Sequence, residues 1–178
     1  MAITDPVAIA GTAPQAAERA GRQAPGEPCV LLKLGEIVLK GHNRQQFERL
    51  QQRNIKDAVR DTGVPTQVLH REGVVLIRVP REDRTEAEHA AAVEKVAARA
   101  ADVPGIVRVC RAWRVDKTPE ATVRAAVELT RGTTGPFAVR PRRRDKRFPI
   151  TSAELAVIVG REVQKAHGLP VDLKHPDT

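Results

Sequence analysis

The stretch TQVLHREGVVLIRV, residues 66–79, holds two short β-branched runs, 66–70 and 73–79, separated by Arg71-Glu72. Two such runs with a polar break between them read as a β-hairpin. Upstream, residues 43–61 follow a helical period in which Phe47, Leu50, Ile55, Ala58 and Val59 share one stripe, with Asn43 and Gln46 as a capping box. Downstream, Thr85 with Glu88 opens a second helix whose stripe is Val93, Val96, Ala97 and Ala100, and Pro104-Gly105 stops it. An apolar run over 29–34 and another over 106–115, with Val107 and Val109 on one face, supply the outer strands. The resulting order, β-α-β-β-α-β, is the split ferredoxin-like unit, spanning residues 29–117.

A second unit follows over 118–178. Thr118 before Pro119 starts a helix along Val123, Ala126 and Val127 that ends near Gly132. Residues 137–140 read as a short strand, cut off by Pro141, which cannot donate to a ladder. Thr151 with Glu154 caps a helix that turns Leu155, Ile158, Val159 and Val163 inward and stops at Gly168, and 171–174 alternate as a last strand. The fold class is therefore α+β: a ferredoxin-like domain followed by a smaller α/β domain. Residues 1–28, rich in Ala, Gly, Pro and Gln without apolar periodicity, read as a disordered tail with no secretory leader. No apolar run approaches the roughly 18 residues of a membrane helix, so a cytoplasmic protein is expected.

Thirty Lys and Arg against 22 Asp and Glu give a formal charge of +8, which favours a polyanionic partner. The densest cluster is Arg140, Arg142, Arg143, Arg144, Lys146 and Arg147 around Asp145. Folding alone gives little reason to gather six repelling cations, whereas phosphates do: each one neutralised releases counterions, and Arg grips it bidentately. The competing reading is a solvated, Arg-rich loop. A second basic segment, KLGEIVLKGHNR over 33–44, places Lys33, Lys40, His42 and Arg44 around a strand-to-helix turn, where helical N–H groups favour anions. It is not a P-loop, because Gly41 is followed by His42 rather than by Lys-Ser or Lys-Thr.

No catalytic constellation and no metal-ligand spacing is present. His42, His70, His89, His167 and His175 are scattered and read as surface histidines, and Cys29 and Cys110 read as buried structural thiols. Glu36 reads as an ion-pair or turn residue. With only Phe47, Phe137, Phe148 and Trp113 as aromatics and no Tyr, base stacking is a poor basis for recognition. Phosphates and A-form shape are the better one, as on a structured RNA.

Three segments resemble one family. LLKLGEIVLKGHNRQQFERLQQRNI (31–55) is similar to the opening of bacterial tRNA 4-thiouridine synthetases, the tRNA sulfurtransferase or ThiI family. FAVRPRRRDKRFPITSAEL (137–155) and VDLKHPD (171–177) resemble the THUMP domain of that family. The resemblance implies a tRNA partner, with THUMP near the 3′ CCA end of the acceptor stem. It also implies a cysteine desulfurase as sulfur donor and leaves a homodimer open.

A further domain of the family adenylates uridine 8 with ATP and Mg, and a persulfide sulfur then replaces the oxygen. Its SGGxDS-type loop and reactive cysteines are not in this sequence, so no cofactor and no catalytic residue are expected in it. The sequence is expected to stop two strands short of a complete THUMP sheet. Gln51 stands where the family has an apolar residue, which shifts the helical stripe onto Leu50. Two other readings stay open: an RNA-binding THUMP portion of a methyltransferase or deaminase, and a basic ferredoxin-like domain for protein partners or small ligands.

Overall fold

The structure, a computed structural model, describes residues 7–10, 26–35, 44–71, 74–142 and 145–177. Its elements run β1 (Val7–Ala10), β2 (Glu27–Leu34), α1 (Arg44–Arg60), β3 (Gln67–Arg71), β4 (Val74–Arg78), α2 (Glu86–Ala101), β5 (Ile106–Val115), α3 (Pro119–Leu129) and α4 (Ser152–His167). The strands are ordered β1-β5-β2-β4-β3. The chain separates into two compact units, one built mainly from 28–112 and the other mainly from 113–178 together with β1.

In the 28–112 unit, β4 pairs antiparallel with both neighbours: Val30 lies opposite Ile77, and Ile77 opposite Val68. The order β5-β2-β4-β3 with α1 and α2 between strands is the ferredoxin-like arrangement expected from the hairpin outward. Val30, Leu32, Val75 and Ile77 meet Ile55, Val59, Val93, Val96 and Ala100 in one core. Aliphatic side chains suffice for it because alternate strand positions and one helical stripe face each other. α2 is framed as its sequence predicts. Thr85 accepts from the Glu88 N–H while the Glu88 carboxylate accepts from the Thr85 N–H at 2.8 Å.

α1 corrects the expected stripe. Phe47 and Leu50 are 45% and 48% exposed, whereas Gln51 is 8% exposed. The buried residues Gln51, Ile55, Ala58, Val59 and Thr62 fall at i, i+4, i+7, i+8 and i+11, a single helical face, and Leu50 lies a further 100° round. Burial of an amide is tolerated because Gln51 Nε2 donates to the Pro104 carbonyl at 2.8 Å, across the α2–β5 turn. Gly105 completes that turn at φ +86°, and a Cβ there would sit 3.1 Å from Gln51 Oε1. The proposed Asn43 cap lies outside the described residues.

Smaller differences have equally local causes. The expected tail holds β1, where Val7-Ala8-Ile9-Ala10 is a short β-suited run within Ala- and Pro-rich sequence, and β2 starts at Glu27 rather than Cys29. Val107 is 66% exposed, while Ile106 and Val109 pack on the core. A spacing of three is not that of a regular pleat, so the alternation breaks between them. His89 is buried rather than superficial, its Nε2–H donating to the Val79 carbonyl at 2.7 Å, and the partly buried His167 ring does the same to Val127. Cys29 is buried, its thiol donating to Ala112, but Cys110 is only partly covered.

In the 113–178 unit, α3 serves two small cores. Ala121 and Ala125 meet Val115 and Trp113, while Val123, Ala126 and Val127 lie against Phe137, Phe148, Leu155, Val159 and Val163. α4 carries the expected capping box at Thr151 and Glu154 and ends at Gly168, whose φ of 67° gives the left-handed cap. Ile158 is 40% exposed, one position off the Leu155-Val159-Val163 row. The two strands expected at 137–140 and 171–174 reduce to a single parallel bridge, Phe137 with Val171. Pro141 lacks an N–H for any longer ladder, and the Asp172 carboxylate accepts from the N–H groups of Lys174 and His175 at 2.7 and 3.0 Å, turning the chain away.

Candidate nucleic-acid interface

The basic loop that leads into α4 is built around its single acid. The Asp145 carboxylate takes a hydrogen bond from Lys117 Nζ, another from the Arg147 N–H at 2.9 Å, and two longer ones from the Arg147 guanidinium at 3.3 Å. Its carbonyl also accepts from the Phe148 N–H at 3.2 Å, closing a turn that delivers Phe148 to the core. The Lys117 ammonium, then the Arg147 N–H and side chain, hold the Asp145 pKa well below the ordinary carboxylate value. Lys117 is the residue that sequence reasoning missed. It lies 28 positions away on the approach to α3, and no local pattern connects it to the loop.

With Asp145 occupied by Lys117 and Arg147, the charge left at the surface is positive. Arg140, Arg142, Lys146 and Arg147 are all exposed. Arg140 Nη2 donates to the Leu173 carbonyl at 3.0 Å, an exposed hydrogen bond that leaves the other guanidinium N–H groups free to meet phosphate. The structure thus brings four of the ten predicted contact residues into one loop. Lys33 is exposed on β2, in the 28–112 unit. Lys40, His42, Arg143 and Arg144 lie outside the described residues, as does the side chain of Arg44 at the start of α1. Among the described residues, no three His, Cys, Asp or Glu side chains gather to hold a metal ion. No described helix is long and apolar enough to cross a membrane.

Comparison with known proteins identifies both the ferredoxin-like unit and the two-helix unit that carries the basic loop. The ThiI ferredoxin-like domain matches residues 29–110, and the THUMP domain matches 114–178. Relatives named probable tRNA sulfurtransferase include one from Caldanaerobacter subterraneus subsp. tengcongensis, 35% identical over 151 residues that cover 83% of this chain and 37% of the relative. Another, from Nocardia farcinica, is 36% identical over 157 residues, or 84% of this chain and 35% of the relative.

Among solved structures, a Pyrococcus horikoshii protein superimposes with a TM-score of 0.69 at 28% identity, covering 84% of this chain and 48% of that one. A 4-thiouridine synthetase–RNA complex with bound ATP gives 0.61 at 24% identity, over 85% of this chain and 36% of that one, a likeness of fold. The chain belongs to the tRNA sulfurtransferase family, represented by its ferredoxin-like and THUMP regions. It spans 37% of the length of the first of these relatives.

Proposed function

We propose that these 178 residues are the tRNA-holding part of a tRNA sulfurtransferase that makes 4-thiouridine at position 8, with the THUMP unit gripping the acceptor stem near the 3′ CCA end. The observation that carries this reading is the exposed loop of Arg140, Arg142, Lys146 and Arg147, organised by Asp145 and Lys117 inside the segment matched by the THUMP domain. A loop whose one acid is already neutralised presents its remaining guanidinium groups to phosphate rather than to each other. Recognition through phosphates and helical shape suits a structured tRNA, and it suits a chain with 2% aromatic residues.

Activation of the uridine with ATP and Mg, and the transfer of a desulfurase-supplied persulfide sulfur, belong in this reading to sequence outside these residues. The residues of this chain bind and orient. A homodimer and a cytoplasmic location are consistent parts of the same proposal.

The test is a salt titration of tRNA binding. Replacing Arg142, Arg143 and Arg144 together by Ala removes three cations, and at a coefficient of about 0.7–0.9 per phosphate the slope of log K against log salt flattens by about 2 to 3. An unchanged affinity and slope would reduce the loop to a solvated surface.

A further inference from the structure

α1 carries a second basic surface. Arg49, Arg53, Lys56 and Arg60 are all exposed and spaced i, i+4, i+7 and i+11, which places them in one column along the helix. At 1.5 Å per residue the column is about 16 Å long, and it lies on the side away from the buried face of Gln51, Ile55, Ala58 and Val59.

A solvated helix face ordinarily interleaves acids with bases at three- and four-residue spacing. On α2 the charges find partners: Glu94 is gripped by Arg111 of β5 at 2.5 Å, and Arg99 lies 3.4 Å from Asp61 and 3.8 Å from Asp102. The α1 column itself is made of cations alone, with Glu48 and Asp57 on its flanks. Of the neighbouring carboxylates, Asp57 meets Arg60 at 3.1 Å, and Asp61 is 3.4 Å from Arg99. Among the described residues, Arg49, Arg53 and Lys56 form no ion pair. Like charges at i, i+4 weaken a helix, so helix stability does not account for the column. The local field is felt on β3: after burial, the charge of Lys56 helps to hold the His70 pKa below its ordinary value.

We propose that this face of α1 is a second backbone contact for RNA, taking the phosphates of a double-stranded segment. The inference rests on the reading of the chain as an RNA-binding module, and it adds residues outside the basic loop. A duplex is favoured over a single strand because the column offers charge without rings. The exposed Phe47 sits two residues before Arg49, about 200° around the helix. A straight row of four cations matches a regular backbone, whereas unpaired bases call for stacking platforms.

The experiment uses the whole chain and compares wild type, R49Q/R53Q/K56Q, the charge-preserving R49K/R53K/K56R, and the loop variant R142A/R143A/R144A. Binding is read by fluorescence anisotropy with a tRNA transcript, an RNA duplex of about 12 base pairs and a single strand of equal length, across about 50 to 200 mM salt. The glutamine variant is expected to keep its helical circular dichroism and flatten the slope by about 2 to 3 for tRNA and duplex. The gap in affinity from wild type then shrinks about twentyfold or more over that fourfold range of salt. The charge-preserving variant should behave as wild type.

Wild-type binding to tRNA with an unchanged slope in the glutamine variant would overturn the α1 contact and leave the RNA reading standing. Failure of wild type to bind any of the RNAs would overturn both. Loss of binding to phosphatidylserine vesicles in the glutamine variant, with RNA binding untouched, would assign the column to a membrane surface and refute the proposal.

Discussion

The burial of Gln51 in place of Leu50 makes a quantitative prediction about adjacent residues. Gln51→Ala removes an 8% exposed side chain and leaves the Pro104 carbonyl without the amide that reaches it at 2.8 Å. Pro104 is itself exposed and water can replace the lost donor, so the hydrogen bond counts for about 0.5–1.5 kcal/mol. Loss of the Cγ methylene adds about 0.8 kcal/mol more before the site relaxes. A total of about 1–2.5 kcal/mol is expected. Leu50→Ala, at a position 48% exposed, should stay within about 0.5 kcal/mol of wild type.

Since the chain holds two units, peptide-resolved hydrogen exchange under increasing urea is the suitable assay, read over α1, α2 and the turn at Pro104-Gly105. A loss of about 2 kcal/mol would accelerate exchange there about 30-fold if it proceeds through unfolding of that unit. Gln51→Leu separates volume from polarity. It restores the packing but not the donor, and should recover only part of the loss. If Leu50→Ala cost as much as Gln51→Ala, or Gln51→Leu were fully stable, the hydrogen bond to Pro104 would not be what holds Gln51 on the buried face of α1.

Two further predictions concern the 113–178 unit. Thr151→Ala removes one half of the capping box at α4 and should destabilise that unit by about 1 kcal/mol, seen as a lowered urea midpoint for peptides from α4 with those of α2 unmoved. Asp145 has a depressed folded pKa, so its pairing with Lys117 and Arg147 contributes stability that is fully present above the unfolded carboxylate value of about 3.9 and is lost as pH falls through the lower folded value. Carboxyl-carbon NMR should show Asp145 titrating below the other aspartates, and Lys117→Gln should move it back up. An Asp145 that titrates with the exposed aspartates would break the proposed loop geometry.

Much of the 28–112 unit was legible in the sequence because its signals are local. The hairpin at 66–79 needs only β-branched runs and a polar break, and the box Thr85/Glu88, like Thr151/Glu154 in the other unit, needs only three residues of spacing. The basic loop, and the column at Arg49, Arg53, Lys56 and Arg60, can be read from spacing and charge, although the column becomes meaningful only once α1 is oriented.

Tertiary structure decided what depended on distant partners. Gln51 is buried because a carbonyl 53 positions away accepts its amide, and Asp145 is an anchor because Lys117 arrives from 28 positions away. His89 turns inward toward the Val79 carbonyl, and the strand expected at 171–174 gives way to one bridge and an Asp172-centred turn. Apolar periodicity records only the average preference of side chains for water or core. A polar group's position is set by whether the fold supplies its hydrogen-bond partner, and that supply exists only after the chain has closed on itself.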